Sequence, residues 1–273
     1  NIREIEPHVL FYGARQWESI NAMIHVKMAN AGWLNRWVHH LIMPVAYKYM
    51  DKRLQGQTIG ICGLLMEMMA NALIQRPLRN KLGLNKTRYA YTAGAAVSPD
   101  IIRFFQAVGI NVKQLYGLSE TGVNTVHRDG DVDPATSGTA LPRNEVKISP
   151  EGEILIRTDM MFLGYYKDPE VKNEKVDSRG WFHTGDFGYI DEKKHLIVID
   201  RMADMKELAG GHKYSPQFTE IRLRFSPYIK DALILGGQKQ EYVTGIINID
   251  FENVGRWAEA NHISYTTFLD ISQ

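Results

Sequence analysis

The chain has 273 residues, 44% of them hydrophobic, enough to pack one large domain or two ordinary ones, and two compact units are expected. Lys and Arg number 32 against 31 Asp and Glu, a formal charge of +1, so there is no broad field to attract a polyanion and nucleic acid is not expected as a partner. The single cysteine, Cys62, cannot form an internal disulfide, and its apolar surroundings from Ile59 to Leu65 predict a buried, reduced thiol in an intracellular setting.

Asn1 to Glu6 lacks the apolar core of a signal peptide, and no apolar stretch approaches the roughly 18 residues that cross a bilayer. A cytoplasmic protein is expected, with peripheral membrane contact left open. The lack of an initiator methionine and of an obvious first element suggests a piece of a longer protein.

From Arg15 to Met50 apolar residues recur at helical spacing: Trp17, Ile20, Ile24 and Met28, then Trp33, Leu34, Trp37 and Leu41. Asn30-Ala31-Gly32 interrupts the run, so a helical pair or a kinked helix is predicted. A second helical stretch, Ile61 to Leu78, is dense in methionine. Met66, Met68 and Met69 are expected in ordinary core packing, with the adaptable lining of a lipid tunnel as the alternative.

The period then changes. Thr87 to Thr92 is strand-like, Ala93 to Val97 is a small-residue turn, and Ser98-Pro99-Asp100 supplies an N-cap, an N1 proline and a first-turn acid. The helix that follows should stop at Gly109, and Asn111 to Tyr116 is another short strand. Strand, helix, strand in one sheet is a parallel, right-handed unit. Ala93-Gly94-Ala95-Ala96 and Gly117-Leu118-Ser119-Glu120 then leave the carboxyl ends of neighbouring strands, the edge where open α/β sheets bind ligands.

After Pro134 come short strands and turns: Glu145–Ile148, a Pro150-Glu151-Gly152 turn, Glu153–Arg157 and His195–Ile199. A small antiparallel barrel is the natural reading. Beyond Asp200 the chain becomes more charged, and Gly210-Gly211 precedes new helical and strand-like stretches. The expected architecture is α/β: residues 1–133 form an α/β subdomain, 134–200 a small β-barrel, and 201–273 an α+β domain.

The segment Tyr116-Gly117-Leu118-Ser119-Glu120-Thr121 concentrates useful chemistry. Tyr116 offers a flat face to a purine, Gly117 lets a backbone approach closely, Ser119 offers a hydroxyl to a phosphate oxygen, and Glu120 is a hard oxygen ligand for Mg²⁺. Alone, the segment would read as a turn with a surface carboxylate. Its company changes that, because it resembles the signature of the adenylate-forming superfamily of acyl-CoA synthetases, peptide-synthetase adenylation domains and firefly luciferase. Gly152–Arg157 with Gly164-Tyr165 looks like that family's barrel segment, Gly180-Trp181-Phe182-His183-Thr184-Gly185-Asp186 like its "W-x-x-T-G-D" motif, and Asp200-Arg201 with Asp204 like the start of its interdomain linker, all in the family's order.

The resemblance implies the fold, the distal part of a large amino-terminal domain and a partial carboxyl-terminal one, and a set of roles. Tyr116 should stack near adenine, with Gly94 and Ala95 bordering the base and Gly117 and Leu118 completing the wall. Ser119 and Glu120 are the catalytic candidates, one on the phosphate and the other on Mg²⁺. Asp186 and Arg201 should hold the ribose hydroxyls, which suits a carboxylate acceptor facing guanidinium donors. His183 is expected to be structural.

Gly13-Ala14-Arg15-Gln16-Trp17-Glu18 and the helical stretch after it look like the segment that long-chain and bubblegum-type synthetases carry. Gly210-Gly211 with Tyr214, Pro216 and Glu220 resembles the motif that faces coenzyme A. The implied activity is ATP-dependent activation of a fatty, long-chain acid to acyl-AMP, with transfer to coenzyme A. The alternatives are delivery to a carrier protein, or a non-catalytic nucleotide-binding fragment.

Some family features are missing. The phosphate-gripping loop would lie upstream of Asn1 and the adenylating lysine beyond Gln273, so the chain as it stands is not expected to catalyse the full reaction. The hinge position, usually aspartate or lysine, is Ala203, which is expected to alter the balance between two domain orientations.

Overall fold

Three parallel strands order the first half of the chain: β1 (Val9–Gly13), β2 (Tyr89–Ala93) and β3 (Val112–Leu118). The sheet continues antiparallel through β4 (Gly122–Val126) and β5 (Thr139–Ala140), in the order β1-β2-β3-β4-β5. The computed structural model describes residues 2–29, 31–54, 56–94, 97–168, 174–267 and 270. A short helix α1 (Ile2–Ile5) and β1 supply the first elements that the sequence did not disclose. In β1 only Leu10 is buried, so the strand shows no inward-outward alternation to betray it.

The predicted helical pair is α2 (Ala14–Ala29) and α3 (Trp33–Leu54). Trp17 fixes α2 to the sheet. Its indole N–H donates to the Tyr91 carbonyl at 3.3 Å, and its ring meets Phe105 edge-on at 4.8 Å. Phe105 belongs to α6 (Pro99–Ala107), which buries Ile101, Ile102, Phe104, Phe105 and Ala107 where it packs on α2, α3 and β3, each large side chain worth about 1.5–3 kcal/mol. Pro99 opens this helix as expected, but Ser98 does not cap it with its side chain. The Ser98 hydroxyl is buried without a partner, while its carbonyl accepts from the N–H groups of Ile101 and Ile102.

The methionine-rich stretch departs from expectation in two ways. It is not one helix: α4 (Ile61–Ala70) widens into a π turn, Asn71–Gln75, before α5 (Arg76–Leu82). Pro77 follows directly and cannot donate to the carbonyl four residues back, and the widened turn absorbs that break in the ladder. Nor is α4 core. Met66, Met68 and Met69 are 41%, 61% and 51% exposed, in line with Ile61, Leu64 and Leu65, and Cys62 is exposed rather than buried. Apolar composition marks a face that favours burial but does not say what covers it.

The second sheet is antiparallel: β6 (Asn144–Ile148), β7 (Glu153–Thr158), β8 (Phe182–Ile190) and β9 (Leu196–Arg201). Its edges, β6 and β9, do not pair, so the expected barrel is an open half-barrel. Ile154, Ile156 and Leu196 form its core, and Tyr116 and Leu118 pack onto them from β3, which brings the two sheets together. After Arg201 the chain makes a 3₁₀ turn (Met202–Asp204), then β10 (Lys206–Glu207) and β11 (Lys213–Tyr214) around Gly210-Gly211, helix α7 (Pro216–Leu223), the hairpin β12 (Ile229–Leu235) with β13 (Thr244–Ile249), and α8 (Phe251–Ala260). Ser215 caps α7 through the Phe218 N–H and donates its hydroxyl to Asp200 Oδ2 at 2.5 Å. Among the described residues no helix is long and apolar enough to cross a membrane.

Candidate functional site

Where the carboxyl ends of β2 and β3 meet β8 and β9, a cavity of about 260 Å³ opens. Gly94, Gln114, Tyr116, Gly117 and Leu118 line it from the parallel sheet, Ser137 from the loop before β5, and Asp186, Asp200 and Arg201 from the half-barrel. Residues distant in sequence thus converge because β3 ends against the half-barrel core.

Asp186 is the centre of this cluster. Tyr116 donates its hydroxyl to Asp186 Oδ2 at 2.6 Å, and Arg201 Nε lies 3.1 Å from Oδ1. Arg201 also donates to the Thr184 carbonyl at 3.3 Å, and β8 and β9 pair Asp186 with Arg201 in register. Thr184 steadies the turn: its hydroxyl donates to the Ile154 carbonyl at 2.7 Å and accepts from the Asp186 N–H at 3.0 Å. Gly185 holds the left-handed conformation between them, at φ 72°.

Burial pushes the Asp186 carboxyl above its ordinary range, although the Tyr116 hydroxyl and the Arg201 charge pull the other way. Burial and the adjacent Asp186 carboxylate push the Tyr116 phenol up, so it remains a donor throughout the physiological range. An ionised carboxylate has about four lone-pair sites, and the protein uses one on each oxygen. Asp186 can therefore still accept from two neighbouring hydroxyls, with the half-exposed Arg201 guanidinium beside them.

Glu120 lies at the mouth of the next turn. Its backbone carbonyl accepts from the Phe162 N–H at 2.7 Å, and Tyr165 donates its hydroxyl to Oε1 at 2.6 Å. That hydrogen bond, with some burial, pushes the Tyr165 phenol up to about 12. Ser119 is exposed beside Glu120. Among the described residues no group of His, Cys, Asp or Glu side chains forms a metal cage. A single hard carboxylate fits an ion that arrives on a substrate phosphate, the usual manner of Mg²⁺.

Gly94 borders the cavity at φ 86° with open space around it, while Ala95 lies outside the described residues. Gly117 needs its glycine for the packing of the sheet. A Cβ there would stand 2.2 Å from the Gly122 carbonyl oxygen and 2.9 Å from Val123 Cα, so the close approach is that of β4. His183 Nδ1 lies 2.8 Å from Glu153 Oε2 on the adjacent strand.

Gln114 was not anticipated. Its Nε2 donates to Ser137 Oγ at 2.9 Å, which leaves Oε1 buried in a cavity-lining side chain without a hydrogen-bond partner. Its place before Tyr116, on the same face of β3 two residues along, was the available signal.

The family model described as AMP-binding enzyme matches residues 43–166. The long-chain-fatty-acid–CoA ligase FadD15 of Mycobacterium bovis is 33% identical over 190 residues, which are 69% of this chain and 31% of that protein. The long-chain-fatty-acid–CoA ligase heimdall of Drosophila melanogaster is 27% identical over 253 residues, 90% of this chain and 37% of its own length. The chain thus spans about a third of these relatives. Among solved structures, the A domain of the carboxylic acid reductase from Segniliparus rugosus, in complex with AMP and a co-purified carboxylic acid, superposes with a TM-score of 0.61 at 20% identity, over 92% of this chain and 36% of that one. The likeness is one of fold: the parallel sheet, the half-barrel and the elements after it. With the family match and the related ligases, it places this chain in the adenylate-forming superfamily of AMP-binding enzymes.

Proposed function

We propose that the chain is the distal part of an AMP-forming acyl-CoA synthetase that activates a fatty, long-chain acid. The observation that carries this reading is the Asp186 carboxylate, shared by Tyr116 and Arg201 at the edge of the cavity. A purine nucleoside fits it: its vicinal ribose hydroxyls donate to Asp186 with Arg201 alongside, while Tyr116, Gly94, Gly117 and Leu118 border the base.

Ser119 then lies on the phosphate side and Glu120 holds Mg²⁺ carried by ATP, which neutralises charge on the phosphates. An acid oxygen attacks the α-phosphorus, the bond to pyrophosphate breaks, and the thiol sulfur of coenzyme A later displaces AMP from the acyl group. The names of the related ligases favour a long-chain fatty acid, as do α2 and α3 at the place of the long-chain segment. Gly210-Gly211, between β10 and β11, stands on the proposed coenzyme A side. Residues 1–133, 134–200 and 201–273 are the proposed units, with Ala203 at the hinge.

The test is the full-length protein with palmitate, Mg·ATP and radiolabelled pyrophosphate. Acid-dependent exchange of pyrophosphate into ATP, followed by thioester formation on adding coenzyme A, is the expected result. Exchange with no thioester would favour delivery to a carrier protein. No exchange and no AMP binding by calorimetry would leave a non-catalytic module and overturn the proposal.

A further inference from the structure

A second cavity, of about 220 Å³, lies between α2, α3, the π turn and α5. Ile24 and Met28 of α2, Val38 of α3, Leu73 and Ile74 of the π turn and Leu78 of α5 wall it with hydrocarbon. Among the described residues the only charged or titratable side chains that line it are Lys27, His39 and Lys81, and no carboxylate stands with them. An apolar wall with a few placed charges is the make-up of a small-molecule site. The π turn brings Leu73 and Ile74 to that wall, and widened turns of this kind are frequent at functional sites.

This pocket lies apart from the cavity at Asp186. Lys81 and Leu82, the last residues of α5, line it and lead toward the amino end of β2, whereas the Asp186 cavity opens at the carboxyl ends of β2 and β3. The two share no lining residue.

Met28 and His39 also line a wider groove, of about 800 Å³, that continues from the pocket between α2, α3 and α8. Its charge is one-sided. His25, Arg36, His39 and His40 come from α2 and α3 and Arg256 from α8, against one carboxylate, Glu259, which accepts from the Tyr265 hydroxyl at 3.3 Å. Arg256 is paired with Glu252, and His25 Nδ1 donates to the Asn21 carbonyl at 2.9 Å, which leaves Arg36, His39 and His40 to face a ligand. Burial, and after it the charges of His25 and His40, pull the His39 pKa below its ordinary value, so the spot disfavours a further cation and favours an anion. Among the described residues these imidazoles form no metal cage.

We propose that the pocket and groove together bind a single-chain amphiphile with an anionic head, at a site separate from the catalytic one. The alkyl chain fills the space between α2, α3 and α5, and the head lies against Lys27, His39 and Lys81, with the cationic groove beyond it. A neutral alkyl chain would leave the lysines without a counter-charge, and a small inorganic anion would leave the hydrocarbon wall in water, so the site calls for both halves of the ligand. A carboxylate and a phosphate ester both meet the head's requirement, and the experiment separates them.

The test is calorimetric titration of the full-length protein with decyl phosphate, decanoate and decanol, each below its micellar concentration, while a non-hydrolysable palmitoyl-AMP analogue fills the catalytic site. One anionic amphiphile should bind per chain beside the analogue, about tenfold tighter than decanol, the scale of one charge-assisted hydrogen bond. Tighter decyl phosphate points to a phospholipid-type head, and tighter decanoate to a free fatty acid. Lys27→Met combined with Lys81→Met should weaken the anionic ligand by about tenfold and leave decanol nearly unchanged, whereas Leu73→Asp should weaken all three. These changes fall on exposed side chains, and wild-type thermal melts would show the fold intact. If a variant does not fold, the contrast between decyl phosphate and decanol on the wild-type protein decides.

A filled protein that takes up no amphiphile would overturn the proposal, because the pocket would then hold the substrate's own tail or nothing. So would equal affinity for the anionic and neutral ligands, unchanged affinity in both variants, or a lysine variant that weakens decanol as much as decyl phosphate. The proposal does not depend on the nucleotide reading. If the analogue fails to bind, the function proposed above falls, and the same titrations of the unfilled protein decide this one.

Discussion

Tyr165 donates its hydroxyl to Glu120 Oε1 at 2.6 Å, so the proposed metal carboxylate is oriented by a residue 45 positions along the chain. The bond leaves Oε2 and the remaining lone pairs of Oε1 for a ligand. Glu120→Gln keeps the shape and removes the charge, and it should slow pyrophosphate exchange by about 10²-fold, in the range of one lost electrostatic stabiliser, while raising the Mg²⁺ needed for half-maximal rate. Tyr165→Phe should cost less, a few-fold in rate, with the metal requirement shifted in the same direction. Exchange assays over a Mg²⁺ series decide; an unaltered metal requirement in Glu120→Gln would remove Glu120 from the metal site.

Removing the Tyr116 hydroxyl should act through Asp186. The folded-state pKa of Asp186 is already raised by burial, so the native protein binds this proton more readily than the unfolded chain, and ionising it costs stability as pH rises through the folded value. Tyr116→Phe deletes one of the interactions that lower it. The Asp186 midpoint should therefore move further up, and the variant should lose about 1.5–3 kcal/mol at neutral pH, the scale of a hydrogen bond to a charged group. Carboxyl NMR titration of the two proteins reads the shift, and a midpoint that does not rise would contradict this account.

Acid should weaken the fold through His127. Burial and the neighbouring His195 hold its folded pKa at about 4, below the ordinary 6.5, so the unfolded chain takes up this proton first as pH falls. The stabilisation is complete above the ordinary value and is lost as pH drops from there toward 4, at up to about 1.4 kcal/mol per pH unit. Between pH 6.5 and 5 the wild-type protein should lose roughly 2 kcal/mol more than a His127→Gln variant, measured by denaturant midpoints at each pH. Parallel curves for the two proteins would refute the assignment.

Cys62 is exposed on α4, and it is the chain's only cysteine. A maleimide should modify one thiol per chain in buffer without denaturant, within minutes and with no loss of thermal stability, as mass spectrometry would register. A thiol that reacts only after unfolding would mean that this face of α4 is covered in solution.

How much of this was legible in the residues differs by element. The β2-α6-β3 unit could be read because Pro99, Asp100 and Gly109 punctuate it and α6 alternates buried and exposed positions at helical spacing. β1 could not, since the only side chain it buries is Leu10, and neither could β4, whose Gly122-Val123-Asn124 looks like loop. At the site, Tyr116, Asp186 and Arg201 were found through motifs and the structure brings them together. Gln114, His127, Thr136 and His195, which hydrogen bonds join in one run, were invisible because their relation is purely spatial: Gln114 lies on β3, and the other three lie just outside β4, β5 and β9, which become neighbours only when the sheets have assembled. α4 misled for the opposite reason, its composition being that of a buried helix whatever lies against it.

The contact at Gly117 bears on how other members of such a group should be sorted. Any side chain there would collide with the backbone of β4 before it met a ligand, so the position tolerates no other residue as long as the hairpin survives. A descendant that had lost all catalysis would still keep this glycine, for the sake of its architecture alone. Its presence in a newly read gene therefore speaks only of shape, and signs of a working enzyme have to be sought at other positions.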